Sequence, residues 1–245
     1  MKAALSVAAT ICIFISCSKT SLKDYRKNPG IDLRFCNIKT WTDVRGEELR
    51  TNVFSYDENE NPVSIISNVS GTGNGSHYFT YDDRQRLTKY EFEFVYTKEF
   101  HYEGNSRLAS GAKVTDVLGR EFSETYTYDD RARIIKSVLH LVSSPFEDEV
   151  TPDETRDYVY LNDDLSSIIL NGEQVNADVV YTDKPSIYMT NKVWMFINQN
   201  YSRHSIDGVE TSNRLGLPLK FKPGQYEFPF LDIDGANSAV TYNCR

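Results

Sequence analysis

Tyr81-Asp82-Asp83-Arg84-Gln85-Arg86-Leu87 and Tyr128-Asp129-Asp130-Arg131-Ala132-Arg133-Ile134 are one phrase written twice, each with an aromatic residue two places before its Tyr, Phe79 and Tyr126. Looser copies start at Phe54-Ser55-Tyr56-Asp57 and Phe100-His101-Tyr102-Glu103. Weaker ones stand at Tyr158-Val159-Tyr160 and Val179-Val180-Tyr181. A unit that recurs every twenty to thirty residues or so marks a repeat architecture.

Two aromatic residues two apart share one face of a strand. The residue between them is polar: Ser55, Thr80, His101 or Thr127. Each strand therefore buries one face and wets the other. After the Tyr come turn-suited polar residues, Glu58 to Asn61, Asp83 to Arg86, Gly104 to Arg107 and Asp130 to Arg133, and then an aliphatic-led strand. Strand, tight turn and returning strand make a β-hairpin. The run from Tyr90 to Tyr96 alternates strictly and predicts one strand. Val193, Phe196, Ile197 and Tyr201 lie near helical spacing, which predicts one short helix near residues 190–202. Leu215 to Phe221 reads as a looped return to a final strand. The fold expected is all-β: a meandering antiparallel sheet of about twelve strands, curled or partly closed around its aromatic face.

The phrase Tyr-Asp, two residues, a small residue, Arg and Leu resembles the YD repeat of Rhs-type and teneurin-type proteins, over about residues 47–188. One position departs throughout. The family's turn Gly is replaced by Glu60, Gln85, Ser106 and Ala132. A different turn is expected, with Asn59 or Asn105 in the left-handed conformation. About six hairpins are too few to close the hollow shells of those families. The chain is more similar to short Bacteroidetes lipoproteins that combine a lipobox, degenerate YD-like hairpins and an aromatic-rich sheet. That resemblance implies a fold and a location rather than an activity.

The location rests on the first residues. Lys2 precedes an apolar stretch from Ala3 to Ser16, too short to span a bilayer. Ser16-Cys17 resembles a bacterial lipobox, with Phe14 where Leu is usual. The resemblance implies a signal peptide over 1–16, a lipidated Cys17 anchoring the chain to a membrane, a tether over 17–29 and a single repeat domain over 30–245. Several acyl chains on one residue hold a protein far better than one does. The alternative is an ordinary cleaved signal with an incidental Cys. Cys17 is not followed by Asp, so an outer-membrane address is expected. Lys19 and Lys23 stand where surface-exported relatives carry acids, which leaves the periplasmic face and the cell surface both open. Cys36 and Cys244 then remain as an even pair in an exported chain. A disulfide pinning the last strand beside the first is expected, with two buried thiols as the alternative. In the chain-entropy model so long a loop contributes roughly 5 kcal/mol.

The net charge of −8 gives no drive toward nucleic acid, and no stripe of Lys and Arg tracks a phosphate backbone. The glycine-rich loop Ser67 to Ser76 runs into a strand rather than a helix, so it is no phosphate cradle. The acidic stretch from Ser143 to Thr155 matches no calcium loop. His77, His101, His140 and His204 fall into no zinc spacing, and no nucleophile elbow or dinucleotide fingerprint is present. No metal, cofactor or catalytic residue is assigned. Sixteen Tyr and thirteen Phe suit a half-buried pleated surface. Trp41 and Trp194 are the candidates for a ligand anchor, because large amphipathic side chains carry binding energy. The function expected is an anchored binding or scaffolding module for a glycan, a peptide or an envelope protein. The alternatives are a carrier of an apolar ligand inside the sheet and a glycoside hydrolase-like enzyme.

Overall fold

Antiparallel pairing of chain neighbours builds nearly everything. The computed structural model describes residues 36–45, 48–69, 71, 74–147, 150–175, 179–222, 229–233 and 237–244, all within the unit Asp32–Arg245. The signal segment 1–16, Cys17 and the tether lie outside the described residues. The strands are β1 (Cys36–Arg45), β2 (Glu48–Tyr56), β3 (Pro62–Ser67), β4 (His77–Tyr81), β5 (Leu87–Phe92), β6 (Tyr96–Tyr102), β7 (Ala109–Asp116), β8 (Glu121–Tyr128) and β9 (Ile134–Ser143). They continue as β10 (Glu154–Leu161), β11 (Asp164–Leu170), β12 (Glu173–Gln174) and β13 (Tyr181–Pro185). After the helix α1 (Lys192–Ile197) come β14 (His204–Ile206), β15 (Val209–Ser212), β16 (Pro218–Phe221) and β17 (Ala239–Cys244). One 15-stranded sheet runs in the order β12 to β1 without a break and then β17-β16-β15, while β13 and β14 pair separately. Its first and last members in space are β12 and β15, so the sheet is open rather than closed.

The last strand returns to the first. Cys36 faces Cys244 across β1 and β17, and their sulfurs form the disulfide.

The turns repeat one device. At Asp82, one carboxylate oxygen accepts the amide protons of Arg84 (3.0 Å) and Arg86 (2.9 Å), and the other accepts Nε of Arg86 (2.7 Å). Asp129 does the same for Arg131 and Arg133. Asp57 does it with Asn61 in place of Arg. Two further copies escape the repeat phrase: Asp116 over Leu118 and Arg120, and Asn213 over Leu215 and Leu217. The side-chain oxygen replaces the strand partner that the turn amides lack. The Arg86 amide and guanidinium hold the Asp82 carboxyl below its usual range.

The turn keeps its left-handed residue without its glycine. Glu60, Gln85 and Ala132 adopt φ of 66°, 60° and 61°, where Gly119 and Gly216 sit in the equivalent turns at 80° and 86°. The expected relocation to Asn59 or Asn105 does not occur; in the turn after Glu103 the left-handed residue is Gly104, at 51°, two places earlier than in the other copies. The capping oxygen fixes the turn geometry, so the residue before Arg accepts the strained conformation.

The tyrosines tie each hairpin to its predecessor. Their hydroxyls donate to a backbone carbonyl at or near the start of an earlier strand: Tyr56 to Ile38 (3.0 Å), Tyr81 to Pro62 (2.9 Å), Tyr102 to Leu87 (2.8 Å) and Tyr128 to Ala109 (2.8 Å). Tyr181 to Leu165 (2.6 Å) and Tyr242 to Pro218 (2.7 Å) extend the series. Burial pushes the Tyr102 and Tyr181 phenols up to about 12, which keeps them protonated donors.

The aromatic face is packed from both halves of the chain. Phe54, Phe79 and Phe100 are buried, while Ser55, Thr80, His101 and Thr127 between the ring positions are exposed. Trp194 of α1 meets Phe54, Phe79 and Tyr56 edge-on at 5.6–6.4 Å. Phe230 stacks on Trp41 at 5.1 Å and touches Trp194 at 5.5 Å. The helix and the segment around Phe230 thus cover the sheet.

Four expectations need correction. The large sheet holds fifteen strands, and β15 and β16 form a hairpin on the Asn213 turn where a looped return is expected. Tyr90 to Tyr96 is not one strand: Phe92 pairs with Tyr96 around a turn whose Phe94 has φ 62°. Direct partners share a face, so alternation carries through the turn and imitates a single strand. Tyr181 opens β13 of the small sheet rather than a further hairpin of the large one. The helix is shorter than 190–202, capped by the Asn191 side chain on Val193 and followed by Gln199 at φ 49°.

Replacing Ala132, at φ 61°, with Gly removes the left-handed strain at the cost of one methyl group. Stability is expected to rise by roughly 1 kcal/mol, read as a higher denaturant midpoint at constant slope. Tyr128→Phe leaves the Ala109 carbonyl without its hydroxyl and is expected to lower stability by about 1–2 kcal/mol in the same measurement.

Candidate functional site

Among the described residues, charge enters the inward face as the Asp43–Arg50 pair of β1 and β2, whose side chains are 0% and 4% exposed, and as a second pair beside a cleft. On β6 the inward positions run Tyr96, Lys98, Phe100; on β8 they run Phe122, Glu124, Tyr126, Tyr128. Between those strands β7 sets Ala112 opposite both Phe100 and Glu124. The small side chain leaves room for Lys98 and Glu124 to meet above it. Their Nζ–Oε2 distance is 2.7 Å, with side chains 18% and 7% exposed. Gly111 permits the close approach of β7 and β8, since a Cβ there would lie 2.3 Å from the Glu124 carbonyl oxygen.

The carboxylate is fully engaged. Tyr126 donates to the same oxygen at 2.9 Å and Gln199 Nε2 to the other at 2.8 Å. Gln199 reaches the cleft from the left-handed residue just past α1. Its own carbonyl accepts from the Tyr158 hydroxyl and from Ser137 Oγ. These groups floor a cleft of about 440 Å³ whose walls include Tyr90, Tyr96, Tyr188, Arg156 and Asp232.

Electrostatics keeps the pair ionised. Burial pulls Glu124 upward, but Lys98 and the donated hydrogen bonds outweigh it and hold the carboxyl below its usual range. Burial likewise pulls Lys98 down, and Glu124 more than compensates, leaving the ammonium raised. Tyr126 and Tyr158 are pushed up by burial and stay neutral donors. The arrangement offers fixed donors and acceptors between aromatic walls. A carboxylate with lowered proton affinity is the opposite of a general acid.

The residues singled out from sequence lie elsewhere. Trp41 and Trp194 are buried, at 2% and 0% exposure, among Phe54, Phe79, Phe221 and Phe230, so neither presents a surface to a ligand. Trp41 does border a small apolar cavity of about 40 Å³. His101 is exposed on the outer face. His140 pairs with Asp153 at 2.6 Å and His204 with Asp164 at 2.8 Å. His77 is buried against Phe92, its Nδ1 2.8 Å from the Tyr90 hydroxyl, and burial lowers its pKa to about 3. Lys98, Glu124 and Gln199 were not singled out, although charge at an aromatic parity position was the available signal in β6 and β8.

No protein-family model matches the chain, and no curated protein matches it. Among solved structures, one similar chain belongs to the crystal structure of TcdB2-TccC3-Cdc42, with 12% identity and a TM-score of 0.20. The match covers 57% of this chain and 10% of that one. A likeness at this score carries no argument about function.

Lys98→Met strands Glu124 in the cleft and is expected to cost about 3 kcal/mol at neutral pH. Without Lys98, burial raises the folded-state pKa of Glu124 above its unfolded value. That raised pKa favours the folded state at low pH, so the variant's deficit shrinks as pH falls toward 4 or so. Denaturant unfolding of both proteins across this range checks it; a deficit that stays constant contradicts the pairing.

Proposed function

We propose that this protein is an envelope lipoprotein with degenerate YD-like hairpin repeats, held to the outer membrane through Cys17, that binds a hydroxyl-rich ligand, a glycan, in the Lys98–Glu124 cleft. The observation that carries the reading is that this buried ion pair lines a cleft of about 440 Å³. Desolvating two charges costs several kcal/mol, and a packed apolar pair would serve stability as well or better. Here the pair orients Gln199, Tyr126 and Tyr158 into a cleft of ligand size with tyrosine walls, the combination that polar, ring-shaped ligands use. The acidic chain supports a partner other than nucleic acid.

The carrier reading has less support, since the apolar cavity beside Trp41 is about the size of one water and the larger cleft is charged. Hydrolysis of a glycoside requires a carboxylic acid of raised pKa, whereas Glu124 is lowered. The membrane face remains the periplasmic side or the cell surface, as the residues after Cys17 leave it.

A glycan-array screen of the soluble form starting at Ser18, followed by titration calorimetry of hits, tests the reading. Binding by the wild type and a loss of roughly tenfold or more in Gln199→Ala are expected. Hits whose affinity ignores Gln199 place binding outside this cleft, and silence across the array removes the glycan reading.

A further inference from the structure

A second cleft, of about 430 Å³, lies between the hairpin turns and the start of α1. Among the described residues its lining holds Arg84, Arg86, Arg107 and Lys192 against one acid, Glu60. In a chain of net charge −8 this is a local reversal of sign. Arg86 is neutralised by its own turn cap, Asp82, at 2.7 Å. Arg107 and Lys192 are exposed and have no acid partner among the described residues.

The repeat supplies its own comparison for Arg84. The same turn position two hairpins later is Arg131, which pairs with Asp163 of the neighbouring turn at 2.8 Å. Arg84 meets its neighbouring turn at Asn105, a neutral amide. The second Arg of each turn, two places on, matches: Arg86 bonds the Gly104 carbonyl and lies over Tyr102 at 4.5 Å, as Arg133 bonds the Asn162 carbonyl and lies over Tyr160 at 4.3 Å. The architecture is thus shared, and the neutralising acid is present in one copy and replaced by an amide in the other. Three cations, Arg84, Arg107 and Lys192, outnumber the single acid, Glu60, in a cleft edged by Tyr81 and Tyr102 and by amide side chains.

We propose that this cleft binds the acidic group, carboxylate or phosphate, of an anionic sugar. Guanidinium groups match both anions with paired hydrogen bonds, and the tyrosine edges and amides suit the sugar ring. The site is separate from the Glu124 cleft and stands whether or not that cleft binds a glycan.

Titration calorimetry with trigalacturonate, glucose 6-phosphate and neutral galactotriose tests it on the soluble form starting at Ser18. Binding of at least one anionic probe, weakened by salt and with no detectable binding of galactotriose at this site, is expected. The R107Q/K192Q variant is expected to weaken that binding by about tenfold or more, while Gln199→Ala leaves it unchanged. The uronate and phosphate arms tell which acid is preferred. Thermal melting of the variant keeps a folding defect apart from a binding defect. Failure of both anionic probes, equal binding of galactotriose, or affinity indifferent to Arg107 and Lys192 in folded protein overturns the proposal.

Discussion

A single side-chain oxygen at each of five hairpin turns holds much of this sheet together. A hairpin reverses direction only if the amides inside the turn find acceptors, and here Asp57, Asp82, Asp116, Asp129 and Asn213 provide them. Where Arg ends the turn, the second carboxylate oxygen also fixes its guanidinium. That guanidinium is then delivered onto the next ring, as Arg86 is onto Tyr102 and Arg133 onto Tyr160. The Tyr before the cap then bonds back to an earlier strand. Turn, ring and preceding hairpin form one unit, which is why copies stack in register although their sequences are loose.

Stacking creates a face that is aromatic almost throughout, and a uniform face needs a lid. Trp194 and Phe230 provide it, arriving from segments far apart in the chain and meeting on Phe54. The Cys36–Cys244 bridge closes the terminal strand against the first, so that β15 and β16 extend the sheet on the other side. Against this packed background two described ion pairs bring charge inside, Asp43–Arg50 and Lys98–Glu124; the second meets beside Ala112 and borders a cleft.

The hairpins were legible because burial on a strand has period two, and a Tyr two places after an aromatic residue has no other economical explanation. The Asp116 and Asn213 turns were not, since neither follows a Tyr; their capping chemistry needs only an oxygen and four residues of correct spacing. The Tyr90–Tyr96 run misled for a geometric reason: cross-strand partners Phe92 and Tyr96 share a face, so a turn between them preserves alternation. The departure from turn Gly misled for an energetic one, because a well-capped turn outweighs the left-handed strain at Ala132.

The sequence by itself determined the all-β class and the inward face and pairing of the hairpins whose turns follow a Tyr, because these follow from local periodicity and turn chemistry. Only the tertiary structure decided which indoles are core, how Gln199 reaches a carboxylate carried by β8, and that Arg84 faces an amide where Arg131 faces an acid. Those contacts join residues distant in the chain, and their geometry depends on how many hairpins stack and what covers them, which no local pattern encodes.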